Sequence, residues 1–458
     1  MQELLSRQEQ TENIHKTEEK VSAPSQTFDQ SMQALASFGG FDFLESSIDG
    51  IKSLNPARKA LKNIFLADKS KKEERDTLKK KLQLWVETIS ESPDLNTMIE
   101  KCTANSESAN KTLKLNLKKA LDTTRQLETS YRSLALFYKN TESDKLKNVT
   151  ILNASLEQLT DLDNPRFIDY IGAELKQNYD RLDLRNNYSI MAIPGYLGSN
   201  AVVEKWAKMA HENKVMLVTD FANLDNVDDV IDLFETSNLS GGDIYRANVM
   251  MVCNWLVGRN KNTEIGEEED VMVPPSSALA GKLYQTLMSQ VTAGKKHGGM
   301  NEVEGVKFEL KKSEIGTLDK IGLVPMVNEY GKVMAFSAKT LFNGDNLGLQ
   351  TYSVVRVFDY INKTLIDFLN RRAFENWTSK TEQDLRSQIV KFLDRIQGPD
   401  KLIERFRIVK FERDENQKDR IHLDINITPY FPAKSFMLKL DGMKGDGGTN
   451  WDTKTEQQ

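Results

Sequence analysis

Cysteine is almost absent. The chain has two in 458 residues, Cys102 and Cys253, far apart in sequence. That spacing offers neither a redox pair nor a disulfide framework, and it fits a reducing cytoplasm. Histidine is as sparse: His15, His211, His297 and His422 are scattered, and none has a second ligand at the spacing of a zinc motif. Long apolar runs are missing. No stretch reaches the ~18 residues of a membrane span, and "MQELLSRQEQTENIHKTEEK" at the start lacks the apolar segment of a secretory signal. A basic surplus is missing too. Lys and Arg number 62 against 67 Asp and Glu, which speaks against a dedicated nucleic-acid binder.

The motifs of catalysis are also lacking. Lys282 and Lys295 follow glycines, but Ser276 and Ser289 stand where a phosphate loop needs its first glycine. No G-x-G-x-x-G follows a strand and no G-x-S-x-G elbow occurs. The acidic run Glu264–Val271 lacks the alternation and turn glycine of a calcium loop and reads as a solvated loop. Asp220 ends an apolar strand, where α/β enzymes place carboxylates, but a helix cap explains it as well. No catalytic residue, cofactor site or metal site emerges. One alternative stays open, an α/β enzyme with dispersed catalytic groups that include Asp220.

What is present is a long, highly charged, soluble chain with length for two or three structural units. Residues 1–37 form a polar arm. Within "FGGFDFLESSIDGIKSL", Phe38, Phe41, Phe43 and Leu44 are candidates for anchoring that arm on a partner or on the chain's own core. Residues 38–140 read as helical. Leu78, Leu82, Trp85 and Ile89 recur at three- and four-residue steps, as do Leu113, Leu117, Leu121, Leu127, Leu134 and Phe137 with some drift. The lysine run "KSKKEERDTLKKKL" is interrupted by Glu73, Glu74 and Asp76 and reads as a solvated helix face.

Residues 141–400 alternate strands and helices. "YSIMAIPGY", "VMLVTDF" and "NVMMVCNWLVGR" are near-continuous apolar strands, and helices separate them. This predicts an α/β core whose mixed sheet is covered by helices. "VPPSSALAGKLYQTL" predicts a helix opened by its prolines and capped by Ser276 or Ser277. "LVPMVNEYGKVMAFSAKTL" predicts a hairpin turning at Glu329–Gly331. Two amphipathic helices follow, the first with Val354, Val357, Phe358, Ile361, Leu365, Phe368 and Leu369 inward.

Residues 401–440 read as β-strands. In "RFRIVKF", Phe406 and Ile408 fall on one face and Val409 and Phe411 on the other. Ile421, Leu423, Ile425 and Ile427 alternate strictly with polar residues, and Phe436, Leu438 and Leu440 alternate again. Two readings fit: a self-contained meander, or an exposed edge that adds strands to another chain. Residues 441–458 are Gly-rich and polar and predict no regular structure.

The blocks "NPRFIDYIGAEL", "YSIMAIPGYLGSN", "KWAKMAHENKVMLVTDF", "VPPSSALAGKLY", "LVPMVNEYGKVMAFSAKTLFNG" and "LQTYSVVRVFDYINKTL", in this order, resemble the large subunit of the type VI secretion contractile sheath. The resemblance is to the TssC/VipB family in its Bacteroidetes-type variant, and it covers the chain from about residue 30. It implies a structural subunit in the bacterial cytoplasm, with no cofactor and no membrane insertion. A small sheath subunit (TssB/VipA-like) would be its partner. The heterodimers would stack with other copies into a helical tube on a baseplate, around an inner tube of Hcp-like rings. Contraction would drive that tube into a neighbouring cell. The C-terminal strands would be shared between subunits, with Ile421, Leu423, Ile425, Ile427, Phe436, Leu438 and Leu440 as candidates. The polar arm matches by position a segment that an AAA+ unfoldase grips. The tail after Leu440 extends past the strand end of better-known relatives. A phage-type sheath protein that polymerises alone is a further alternative.

Overall fold

A computed structural model describes residues 67–90, 93–141, 146, 148–184, 187–442 and 451–457. The polar arm, with Phe38, Phe41, Phe43 and Leu44, lies outside the described residues. Internal contacts divide the chain into two units, Met1–Lys119 and Ala120–Gln458.

The first unit holds helix α1 (Lys72–Ser90) and the start of the long helix α2 (Leu95–Lys139). Asp68 accepts the Ser70 N–H and Asp94 accepts the Thr97 N–H, each meeting an orphan donor at a helix start. Glu73 and Glu74 add negative charge where the α1 dipole is positive. The lysine run is solvated as expected, with Lys72, Lys79 and Lys80 exposed.

The second unit begins with the remainder of α2 and continues through α3 (Arg166–Tyr179) into a five-stranded sheet. Its strands are β1 (Ile190–Tyr196), β2 (Met216–Asp220), β3 (Val249–Cys253), β7 (Leu323–Glu329) and β8 (Lys332–Ala335), in that spatial order. The first four run parallel and β8 turns back antiparallel. Helix α4 (Asn200–Glu212) connects β1 to β2, and α5 (Val227–Ser237) leads from β2 towards β3. Ser199 and Asn226 cap them by accepting backbone N–H groups in their first turns.

Strand periodicity sorts the core into two layers. Leu217, Val249, Met251, Cys253 and Leu323 face one core with Val203, Trp206 and Phe234 of the connecting helices. Met216, Val218, Met250, Val252, Val324 and Met326 face the other. There they meet Ala278, Leu279 and Leu283 of α6 (Ser276–Gln285) and Leu136 of α2. Burial on both faces is why these strands read as apolar runs rather than alternations.

Three expectations need correction here. "NVMMVCNWLVGR" is two strands. Asn254 adopts a left-handed backbone, φ 66°, and breaks the run between β3 and β4 (Leu256–Arg259). Its amide donates to Phe308 O and Met326 O, so the break is held in place. β4 joins a separate antiparallel sheet with β5 (Val271–Val273) and β6 (Gly305–Val306). β1 is not deeply buried. It lies at the sheet edge with Ile193 alone buried, which is where Pro194 is tolerated. Ser276 and Ser277 lie inside the first turn of α6, and the carboxylate that accepts the Ser276 N–H belongs to Asp220.

The hairpin turns where expected. Tyr330 at φ 57° and Gly331 at φ 72° give the doubly left-handed turn that matches strand twist. Helix α7 (Lys312–Ile321) precedes it. Beyond it, α8 (Tyr352–Arg371) and α9 (Ser379–Ile396) carry a third core. Val354, Val357 and Ile361 are buried as predicted, but Phe358 is exposed, and the first turns of α8 bury every residue from Tyr352 to Val357.

Candidate assembly surfaces

The chain ends in two hairpins rather than a meander. β9 (Ile403–Arg413) pairs antiparallel with β10 (Ile421–Pro429), and β11 (Phe436–Gly442) pairs with β12 (Trp451–Gln457). β11 does not pair with β10. Pro429, which ends β10, and Pro432 after it cannot donate to a ladder. The tail expected to lack regular structure supplies β12, whose residues 451–457 match β11 one for one. The strand arises because the partner ladder, not its own composition, satisfies its backbone.

On the first hairpin the expected faces are shifted. Lys410 opposes Asp424 but Ile408 opposes Ile425, so Val409 is an extra residue in β9. This bulge changes the parity of the strand. Phe406, Ile408 and Phe411 therefore all pack on the α8–α9 core, and Val409 points outward at 61% exposure. Ile421, Leu423, Ile425 and Ile427 pack on the same core, against Leu385, Ile389 and Leu393 among others. Their side chains are thus engaged within the chain. Among the described residues, β10 has β9 as its one strand partner, so its second edge keeps backbone donors and acceptors for another strand.

The second hairpin is different. Phe436, Met437 and Leu438 are successive residues and point to alternating faces, yet all are exposed, Phe436 at 63%. A two-stranded ribbon by itself is marginal in water. Leu440 pairs with Thr453 through its backbone.

Sequence spacing alone did not single out a third surface. In the second unit α2 exposes Leu127, Tyr131, Leu134 and Tyr138, the first two at 72%. Their steps of four, three and four residues follow a heptad seam. The same phase runs back along the sequence through Thr124, Ala120, Leu117 and Leu113. Leu113, Leu117, Leu127 and Leu134 recur at helical spacing, but they are exposed and α2 turns other residues to its own core. Leu136 and Ser133 are buried there, and the Ser133 hydroxyl meets the Ser277 hydroxyl at 2.7 Å. Gly281 lets α6 approach, since a Cβ there would clash with the Phe137 carbonyl. The missed signal was the 3–4 spacing itself, read as drift of one stripe when two faces were interleaved.

The polar candidates have hydrogen-bond partners within the fold. Asp220 is fully buried. It accepts hydrogen bonds from Gly195 N (2.8 Å), Ser276 N (2.7 Å) and Ser276 Oγ (2.5 Å). Burial pushes its carboxyl up to about 7, against the pull of these donors. His211 lies in the last turn of α4 with Nδ1 2.8 Å from Asn248 Oδ1. The acidic run is not simply solvated. Glu267 is buried and receives Arg259 through Nη1 (2.7 Å) and Nη2 (2.9 Å), and that guanidinium holds its carboxyl down at about 2. Arg259 also donates Nε to Glu128 of α2 (2.9 Å), joining helix, strand and loop. Among the described residues no group of three His, Cys, Asp or Glu side chains is placed to hold a metal ion, and no helix is long and apolar enough to cross a membrane.

Three family models match the chain. The type VI secretion system TssC/VipB central domain matches residues 119–343, the TssC/VipB-like C-terminal domain residues 351–457, and the TssC/VipB-like N-terminal region residues 28–117. The C-terminal match includes the tail, so the stretch after Leu440 is part of the family pattern rather than an extension of it. Among solved structures, the anti-feeding prophage baseplate is similar at 17% identity and TM-score 0.48, over 69% of this chain and 81% of that one. The contracted helical sheath of the anti-feeding prophage is similar at 16% identity and TM-score 0.48, over 69% and 82%. A sheath tail protein from Listeria innocua is similar at 12% identity and TM-score 0.41, over 68% and 62%. The family matches, not these structural likenesses, carry the assignment. A comparison with curated proteins returns no match.

Proposed function

The chain belongs to the TssC/VipB family of type VI secretion proteins and is a sheath subunit, and we propose that its exposed heptad stripe and open strand edges are the joints of the lattice. The observation that carries this reading is the stripe Leu127, Tyr131, Leu134 and Tyr138, apolar and exposed on one helix. A heptad seam takes a helix as its complement, and the small sheath subunit (TssB/VipA-like) is the partner that the family supplies.

The strands do the second task. Residues 401–440 link subunits, with the free edge of β10 and the apolar faces of β11 meeting strands of neighbouring copies. Phe38, Phe41, Phe43 and Leu44 anchor the N-terminal arm on a partner, and an AAA+ unfoldase recognises the arm. The assembled tube surrounds an Hcp-like inner tube, stands on a baseplate in the bacterial cytoplasm and delivers effectors by contraction. The chain performs no catalysis and takes no cofactor. Work comes from a metastable extended lattice relaxing to one that buries more surface. A strand joint contributes roughly 1 kcal/mol net per hydrogen bond, so the driving force must be summed over many subunits.

Co-expression with the adjacent small open reading frame, followed by electron microscopy, tests the proposal. Tubes that require both chains support it. Tubes from this chain alone indicate a phage-type sheath, and no polymer from either preparation refutes the reading.

A further inference from the structure

Four lysines and a histidine from three segments converge beside the edge of the five-stranded sheet. Lys282 lies in the last turn of α6, Lys295, Lys296 and His297 lie on the helical turn Gly294–His297, and Lys332 opens β8. Backbone pairing brings them together. Met300 N–H donates to Val333 O (2.8 Å) and Ala335 N–H to Gly298 O (3.1 Å), so the segment after the turn lies along the outer edge of β8. The Lys332 side chain crosses Gly299 closely: a Cβ on that glycine would sit 2.8 Å from Lys332 Cδ. Lys295 Nζ is 5.4 Å from the centroid of the Tyr330 ring. Tyr330 stands 69% exposed at the hairpin tip, a left-handed position that seldom carries an aromatic.

The charges that act on Lys282 and His297 are all positive, Lys332 on the first and Lys296 and Lys282 on the second. Burial and these neighbours hold both groups below their ordinary values. Lys282 Nζ donates to the neutral Gln285. Glu329 opposes Lys332 in the hairpin register and is an acidic residue at the rim of the cluster. On α4, by contrast, Lys208 pairs with Glu204.

We propose that Lys282, Lys295, Lys296 and Lys332, with Tyr330 at the rim, form a docking site for an acidic segment of a partner protein. Like charges brought together by the fold cost stability that an incoming carboxylate set recovers. An acidic peptide is favoured over a nucleic acid because the cluster is local and the whole chain carries a net charge of −5, which repels an extended polyanion. The exposed ring on a rigid turn offers the aromatic anchor common at protein interfaces. The inference stands independently of the sheath reading, since it concerns a site outside the strands and the α2 stripe.

Fluorescence anisotropy with a labelled oligoglutamate peptide and the full-length chain tests it, at low and at physiological ionic strength. The K282Q/K296Q/K332Q variant is expected to weaken binding by about tenfold or more. K176Q/K380Q/K391Q, which removes the same charge elsewhere on the surface, is expected to leave it unchanged. Equal loss in both variants, no binding by the unmodified chain, or tighter binding of oligothymidylate than of the peptide overturns the proposal. Circular dichroism of both variants checks that the fold is intact, which matters most for the half-buried Lys282.

Discussion

Asp220 at the end of β2 accepts a 2.7 Å hydrogen bond from the N–H of Ser276, a residue 56 positions later in the chain. Through its other oxygen it also accepts the Gly195 N–H, so one carboxylate ties the irregular end of β1 and the start of α6 to the sheet. A position that resembles a catalytic carboxylate is here a clamp between three segments.

This clamp gives stability a distinct pH dependence. Unfolded, the group titrates near ~4, and folded it titrates at about 7. Between those values the folded chain holds a proton that the unfolded chain has released. Stability therefore falls as pH rises through that window. D220N is expected to flatten the slope, and D220A to cost ~2–3 kcal/mol through the lost hydrogen bonds. Urea midpoints measured across the window check both.

Arg259 behaves oppositely. Its pairing with Glu267 contributes stability above the ordinary carboxylate range, and that contribution is lost as pH falls towards about 2. R259M strands the buried Glu267 carboxylate and is expected to cost ~3–5 kcal/mol. A double-mutant cycle with E267Q checks that the cost is coupled: the double variant is expected to be more stable than R259M alone.

The α2 stripe predicts a separation of stability from assembly. L127E/Y131E changes exposed positions, so the chain's own stability should move by no more than about 0.5 kcal/mol. Co-purification of the small subunit should be lost. Retained co-purification would remove the stripe from the interface.

The terminal hairpin predicts a later block. F436E/L438E is expected to leave a heterodimer that forms no tubes by negative stain. Proline at Leu423 is a poorer probe, because Leu423 belongs to the β9 ladder and packs on the α8–α9 core.

Much of the central fold was legible because burial dictates it. β2, β3 and β7 needed apolar residues on both faces, and their runs "MLVTD", "VMMVC" and "LVPMV" showed it. The hairpin at Tyr330–Gly331 and the helices α4, α5, α8 and α9 follow from turn chemistry and period. Alternation along β9 alone misplaces Val409, because a bulge is a property of two strands, invisible in either alone. The break at Asn254 is not legible in its own segment, because carbonyls of Phe308 and Met326, remote in sequence, fix it.

The amino-acid order determined the class of the molecule: an α/β core, family blocks in sequence, and no motif of catalysis, metal binding or membrane insertion. Those are local or additive signals, carried by composition and spacing. Only the tertiary structure decided which apolar residues are left over. Leu127 and Leu136 look alike in the sequence, yet one is exposed and one is buried. Lys282, Lys296 and Lys332 become one cluster only after β8 gains its covering segment. Exposure and charge density depend on what the fold brings alongside, and no single segment contains that.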